Sequence, residues 1–133
     1  MSSGANAARV THRCRPGAQR APLAALALTA AALAQMAAGA DGCISVTANV
    51  APRQLSAMHV LCQQGDFAKA RAIHERLAPL HEALFVETSP GPVKFAASLL
   101  GKCRADIRLP LVEPGEPTRA RVRAAMVHAG LLN

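Results

Sequence analysis

The sequence predicts one unit of a larger repeating α/β fold, mostly α-helical over its own length. Three observations predict it. Cys43 to Ala48 (CISVTA) is a short apolar, β-branched run preceded by Gly39 and Gly42. Such near-continuous apolar character suits a strand buried on both faces, as in a parallel sheet. A helix opens directly behind it at Pro52, since proline in a first turn gives up an N–H that would be unpaired anyway. Nothing else in the chain reads as a strand. A single buried strand cannot satisfy its own backbone donors and acceptors. Neighbours on both sides are therefore expected, from another chain or from a longer native protein.

The elements follow in order. Met1 to Arg20 is rich in Ser, Arg, Gly and Ala without periodicity and reads as disordered. Pro22 to Ala38 is Ala/Leu-rich and predicts a helix. The strand 43–48 comes next, then the Pro52 helix with Leu55, Met58 and Cys62 on one face, stopped by Gly65. Asp66 caps a longer helix. Its inward face is Phe67, Ala70, Ile73, Leu77, Leu80 and Leu84, with charged residues elsewhere and Pro79 as an expected kink. A turn-rich stretch, 86–91, leads to a short helix, Pro92 to Leu100, closed by Gly101. Residues 102–116 read as loop. The last helix, 117–129, turns Val122, Ala125, Met126 and Ala129 inward and ends at Gly130.

Composition narrows the function classes. Of 133 residues 51% are apolar, but there is no Trp or Tyr and only three Phe. The core must be built from Ala, Leu, Val and Met, with little buried area per residue. The net charge of +7 is uneven: four arginines and no acid precede Asp41, leaving a body that is only mildly basic. Scattered arginines without aromatic partners do not predict a nucleic-acid surface. The cysteines at 14, 43, 62 and 103 form no CxxC, a spacing that fits a reducing cytosol rather than a disulfide framework. The run from Leu23 to Ala34 is too short to span a membrane. Residues 20–40 as a whole, ending in Ala38-Gly39-Ala40, mimic a signal peptide. The expected location is cytoplasmic, with export as the alternative.

The residues carry a resemblance. GADGCISVTANVAP resembles the last barrel strand of the dihydrodipicolinate synthase (4-hydroxy-tetrahydrodipicolinate synthase) family, with its glycine-bracketed I-S-V-x-A-N segment. GDFAKARAIHERLAPLHEALFVE is similar to that family's next helix. SPGPVKFAASLLG is similar to its N-P-x-P-V-K-x-A segment, with Ser89 in place of the usual Asn. IRLPLVEP and VRAAMVHAGLL complete the match, over about residues 32–133. The resemblance implies the C-terminal part of a (β/α)₈ barrel plus a C-terminal helical extension. Residues 1–29 are then an unmatched leader whose composition looks like out-of-frame translation. Residues 30–65 are the last barrel βα unit with its preceding helix, and 66–133 the helical region.

The family's activity is implied with it. These are class I aldolases that condense pyruvate with aspartate semialdehyde in lysine biosynthesis, through a lysine Schiff base, with tyrosines relaying protons and no cofactor or metal. A full barrel takes about 250 residues, and the family's nucleophilic lysine lies upstream of everything matched here. Lys69, Lys94 and Lys102 fall in the helical region, and there is no Tyr. The resemblance therefore implies no catalytic residue in this chain and a truncated, inactive product. Ile44 alone matches a substrate-binding position, the isoleucine beside bound pyruvate; it is also a plain barrel-core residue. Asn49 matches a residue read as a cap or loop-holder. Homo-oligomerisation is a possible partnership; neither nucleic acid nor membrane is expected. The alternatives are a related pyruvate-dependent aldolase, similar to N-acetylneuraminate lyase, and a small exported helical interaction protein.

Other constellations are weaker. His74 and His81 lie seven apart and share a helix face, but no HExxH accompanies them. Helix-packing histidines are the expectation, not a metal site. No Cys/His pair stands at a catalytic spacing in the sequence.

Overall fold

The computed structural model describes residues 31–133. The readings of Met1 to Arg20, and of the first part of the 22–38 helix and of the signal-like 20–40 segment, lie outside the described residues. What is described is a small helical assembly. Five helices follow in order: α1 (Ala32–Ala37), α2 (Pro52–Gln63), α3 (Phe67–Ala83), α4 (Gly91–Leu99) and α5 (Glu116–His128). A 3₁₀ turn, Thr47–Asn49, precedes α2.

The helices start and stop where local chemistry requires. Pro52 occupies the first turn of α2. Gly65, at φ +82°, ends that helix in the left-handed region that favours glycine. Asp66 caps α3 by accepting the Lys69 backbone N–H at 3.2 Å. α3 runs unbroken through Pro79. Gly130 (φ +70°) closes α5 in the same left-handed conformation.

α3 lies at the centre, packed against α2 on one side and α5 on the other, with α1 over α2 and α4 beside α5. The interior is filled by Met58, Leu77, Leu80, Leu84, Val122 and Met126, all fully buried. Each such side chain contributes roughly 1.5–3 kcal/mol on leaving water. Leu55, Met58 and Cys62 are buried on α2, and Val122, Ala125, Met126 and Ala129 at the end of the chain, as their periodicity predicts. Phe67 departs from expectation. It is 38% exposed at the first position of α3, and Ile73 is only half-buried. Gln54 Nε2 donates to the Ala129 carbonyl at 2.7 Å, tying α2 to the end of α5.

The expected strand is absent: residues 43–48 form none, and no strand occurs among the described residues. Three of the carbonyls that a ladder would use, those of Ser45, Val46 and Thr47, are engaged locally. Ala48, Asn49 and Val50 donate their N–H groups to the carbonyls of Ser45, Val46 and Thr47 at 3.0–3.2 Å. A strand exists only by pairing. With no neighbour among the described residues, the same sequence satisfies its backbone by turning.

Candidate functional site

The Cys43–Asn49 segment positions the one residue that the sequence assigns to a substrate. Its side chains alternate. Ser45 and Thr47 point inward and are buried, while Ile44 is 81% exposed. Ile44 is therefore not a core residue of the described structure. It stands free on the side away from the helices.

Between this segment and α2 runs an open groove of about 420 Å³, lined by Cys43, Ser45, Ala48, Leu55, Ser56 and His59 among others. Cys43 Sγ lies 3.4 Å from His59 Nε2. The sequence offered no Cys/His pair, and the structure corrects that: α2 folds back along the segment and closes a gap of sixteen residues. Burial pushes the Cys43 thiol up, which favours the neutral thiol over the nucleophilic thiolate. Ser45 Oγ is buried and, among the described residues, meets no hydrogen-bonding group.

Behind the segment, Thr47 and His81 face each other in the interior. Thr47 Oγ1 is 2.8 Å from His81 Nδ1. His74 and His81 do share a face of α3, their rings 5.9 Å apart and tilted by 37°. His81 is 2% exposed. Its pKa is lowered to about 4, first by burial and then by the nearby His74. The ring is neutral at pH 7. Both His74 Nδ1 and His81 Nε2 are buried without a partner among the described residues. Among the described residues, no three His, Cys, Asp or Glu side chains come together as metal ligands.

The lysines sit away from this region. Lys69 is on the exposed first turn of α3, 2.7 Å from Asp66 Oδ2. That carboxylate raises its pKa, opposite to the depression that an amine nucleophile needs. Lys94 on α4 donates to the Asp106 carbonyl, and Lys102 lies exposed in the turn after α4. Asn49 Nδ2 donates to the Val46 carbonyl at 2.9 Å, which is the loop-holding role expected of it. Among the described residues, no helix is long and apolar enough to cross a membrane.

Comparison with known proteins places this geometry. The model of the dihydrodipicolinate synthetase family matches residues 28–129. The 4-hydroxy-tetrahydrodipicolinate synthase of Bradyrhizobium diazoefficiens is 56% identical over 101 residues, 76% of this chain and 34% of the relative. That of Parvibaculum lavamentivorans is 49% identical over 130 residues, 97% of this chain and 44% of the relative. An alignment of that length takes in residues ahead of position 28. Among solved structures, the chloride-inhibited dihydrodipicolinate synthase of Acinetobacter baumannii, complexed with pyruvate, superposes with a TM-score of 0.76 at 38% identity. It covers 80% of this chain and 36% of that one. The chain spans about a third of the length of the first of these relatives.

Proposed function

Because the chain belongs to the dihydrodipicolinate synthetase family, we propose that it serves as the C-terminal region of a 4-hydroxy-tetrahydrodipicolinate synthase-like class I aldolase. The reaction is the condensation of pyruvate with aspartate semialdehyde in lysine biosynthesis. On this reading residues 30–65 are the last βα unit of a (β/α)₈ barrel with its preceding helix. Residues 66–133 are the helical extension, and the enzyme works in the cytoplasm.

The observation that carries the reading is the pairing of one segment with one helix frame. CISVTAN leads directly into a helix opening at Pro52. Behind it the two following helices, α3 and α4, carry the P-L-H and P-V-K stretches, and 80% of the chain superposes on a synthase of known structure. Within that frame Ile44 is the substrate-side residue. Its exposure suits a side chain that meets a ligand or the remainder of a barrel, not the helices behind it.

This chain by itself supplies no Schiff-base nucleophile and no tyrosine relay. Lys69 is held protonated by Asp66, Lys94 is engaged with Asp106, and Tyr is absent from the 133 residues. The test is to incubate the purified chain with pyruvate and borohydride, and to assay condensation with aspartate semialdehyde in parallel. The expected result is no pyruvate-derived mass increment on any lysine and no turnover. A trapped adduct on Lys69, Lys94 or Lys102, or clear turnover, refutes the proposed division of labour.

A further inference from the structure

The imidazole pair on α3 has no part in the aldolase reading, and it is the most unusual polar feature of the interior. His81 is buried, its Nδ1 is taken by Thr47, and its Nε2 has no partner among the described residues. His74 Nδ1, 5.9 Å away ring to ring, is likewise buried and unpaired. Buried polar atoms without partners are rare in native proteins and ask for an explanation.

Thr47 is the point at which the Cys43–Asn49 segment meets α3 through a side chain. Its hydroxyl can donate to a neutral ring or accept from a protonated one, so the bond itself survives either state. The ring does not. A protonated His81 carries N–H at both ring nitrogens and a full positive charge, and among the described residues no acceptor faces Nε2. Among the described residues, no negative charge acts on it to compensate. On α3, His74 is close and also basic, while Glu82 is exposed and paired outward with Arg121 of α5 at 3.2 Å. α2 carries no acidic side chain, and its His59 lies against Cys43. α1 carries no ionisable side chain. Of these neighbours, His74 is the one whose charge acts on the His81 ring, and it acts against protonation.

We propose that His81 is a positioning residue with an acid-sensitive latch: neutral, it holds the Ile44-bearing segment against α3 through Thr47, and protonated, it releases that segment while the helices stay packed. The proposal rests on the reading that this segment presents Ile44 to substrate. Release is the least disruptive relief for the charge. The segment is held by turn-type backbone bonds and by the partly buried Cys43, Val46 and Ala48, a smaller contact than the helix interfaces carry. Opening it returns both the imidazolium and the orphaned Ser45 hydroxyl to water. Opening α3 from α2 or α5 instead exposes Leu77 and Leu80.

The test is amide hydrogen exchange on the full chain at pH 7 and pH 5. The reporters are the hydrogen-bonded amides of Ala48, Asn49 and Val50, each divided by the α3 amides of Leu77 and Leu80 in the same sample. The internal ratio removes the intrinsic pH dependence of exchange. A base held near 4 when closed and returning to 6.5 when open raises the ratio about twentyfold over this interval. In His81→Asn, which keeps an amide near the Nδ1 position and cannot titrate, the ratio stays flat. In His74→Gln, which removes the neighbouring basic ring, the rise is smaller than in the wild type. A flat wild-type ratio, a rise that persists in His81→Asn, or α3 amides that lose protection in step with the segment overturns the latch. Should His81→Asn not fold, an undiminished rise in His74→Gln overturns it equally. Exchange reads no catalysis, so failure of the latch leaves the aldolase reading standing, and failure of the pyruvate trapping experiment leaves the latch standing.

Discussion

Thr47 and His81 meet 34 residues apart in sequence, hydroxyl to Nδ1 at 2.8 Å, with both side chains buried. The bond anchors the segment carrying Ile44 to the central helix. Its loss leaves His81 with two unsatisfied ring nitrogens instead of one. Removing one partner of a buried hydrogen bond costs about 1–3 kcal/mol. Thr47→Val, which keeps the shape, should lower unfolding free energy by that amount in urea titration. Thr47→Ser should lower it by less, since the hydroxyl remains. Equal stability of Thr47→Val and wild type shows that the bond contributes nothing net.

The same histidine sets a pH dependence. Its pKa of about 4 in the fold lies below the ordinary 6.5 of an exposed imidazole. The unfolded chain therefore binds the proton more readily, and stability falls as pH falls. The contribution is complete above pH 6.5, declines from 6.5 to 4, and is fully lost below. Its size is about 3 kcal/mol for a gap of this width. Unfolding midpoints of wild type and His81→Asn, followed from pH 7.5 to 4, should separate in slope between 6.5 and 4, with the variant the flatter. Parallel curves place the acid sensitivity elsewhere.

The helices were legible in the sequence because each carries its own punctuation. Pro52 opens α2, Gly65 stops it, Asp66 caps α3 and Gly130 closes α5, and all four are read from local backbone chemistry. The inward faces of α2 and α5 followed from a 3.6-residue period. The strand expected over 43–48 does not form among the described residues because a strand is not a local property. CISVTA has the composition of one, yet with no neighbour it satisfies its carbonyls by turning at Thr47. Ile44 was placed by resemblance, which said nothing of its exposure. The Thr47–His81 and Cys43–His59 pairs left no sequence signal. Each depends on how helices fold back across a connection, and their residues stand 34 and 16 positions apart.

Ile44 and Leu55 lie eleven positions apart and should answer oppositely to mutation. Ile44 is 81% exposed and Leu55 is buried on α2. A surface change away from caps and pairs stays within about 0.5 kcal/mol, whereas Leu→Ala in a packed core costs about 2–5 kcal/mol. In the chain alone, Ile44→Asp should leave the urea midpoint in place while Leu55→Ala lowers it sharply. A large loss from Ile44→Asp shows that the side chain is packed in solution, and removes it as a residue free to face a ligand.

Cys43, Cys62 and Cys103 present three environments to one reagent. Cys103 is exposed, Cys43 half-buried against His59, and Cys62 buried on the inner face of α2. Alkylation proceeds through the thiolate and needs access. Burial raises the pKa of Cys43, and His59 at 3.4 Å does not reverse that. Iodoacetamide at pH 7.5, followed by peptide mass mapping, should label Cys103 first, Cys43 more slowly, and Cys62 only on unfolding. His59→Ala separates the two effects on Cys43. If the imidazole only lies alongside the thiol, the variant labels Cys43 as fast as wild type or slightly faster, because the side chain that covers it is gone. If the pair is an activated one, Cys43 outpaces Cys103 in the wild type and slows in the variant, and the groove beside α2 then holds a nucleophile.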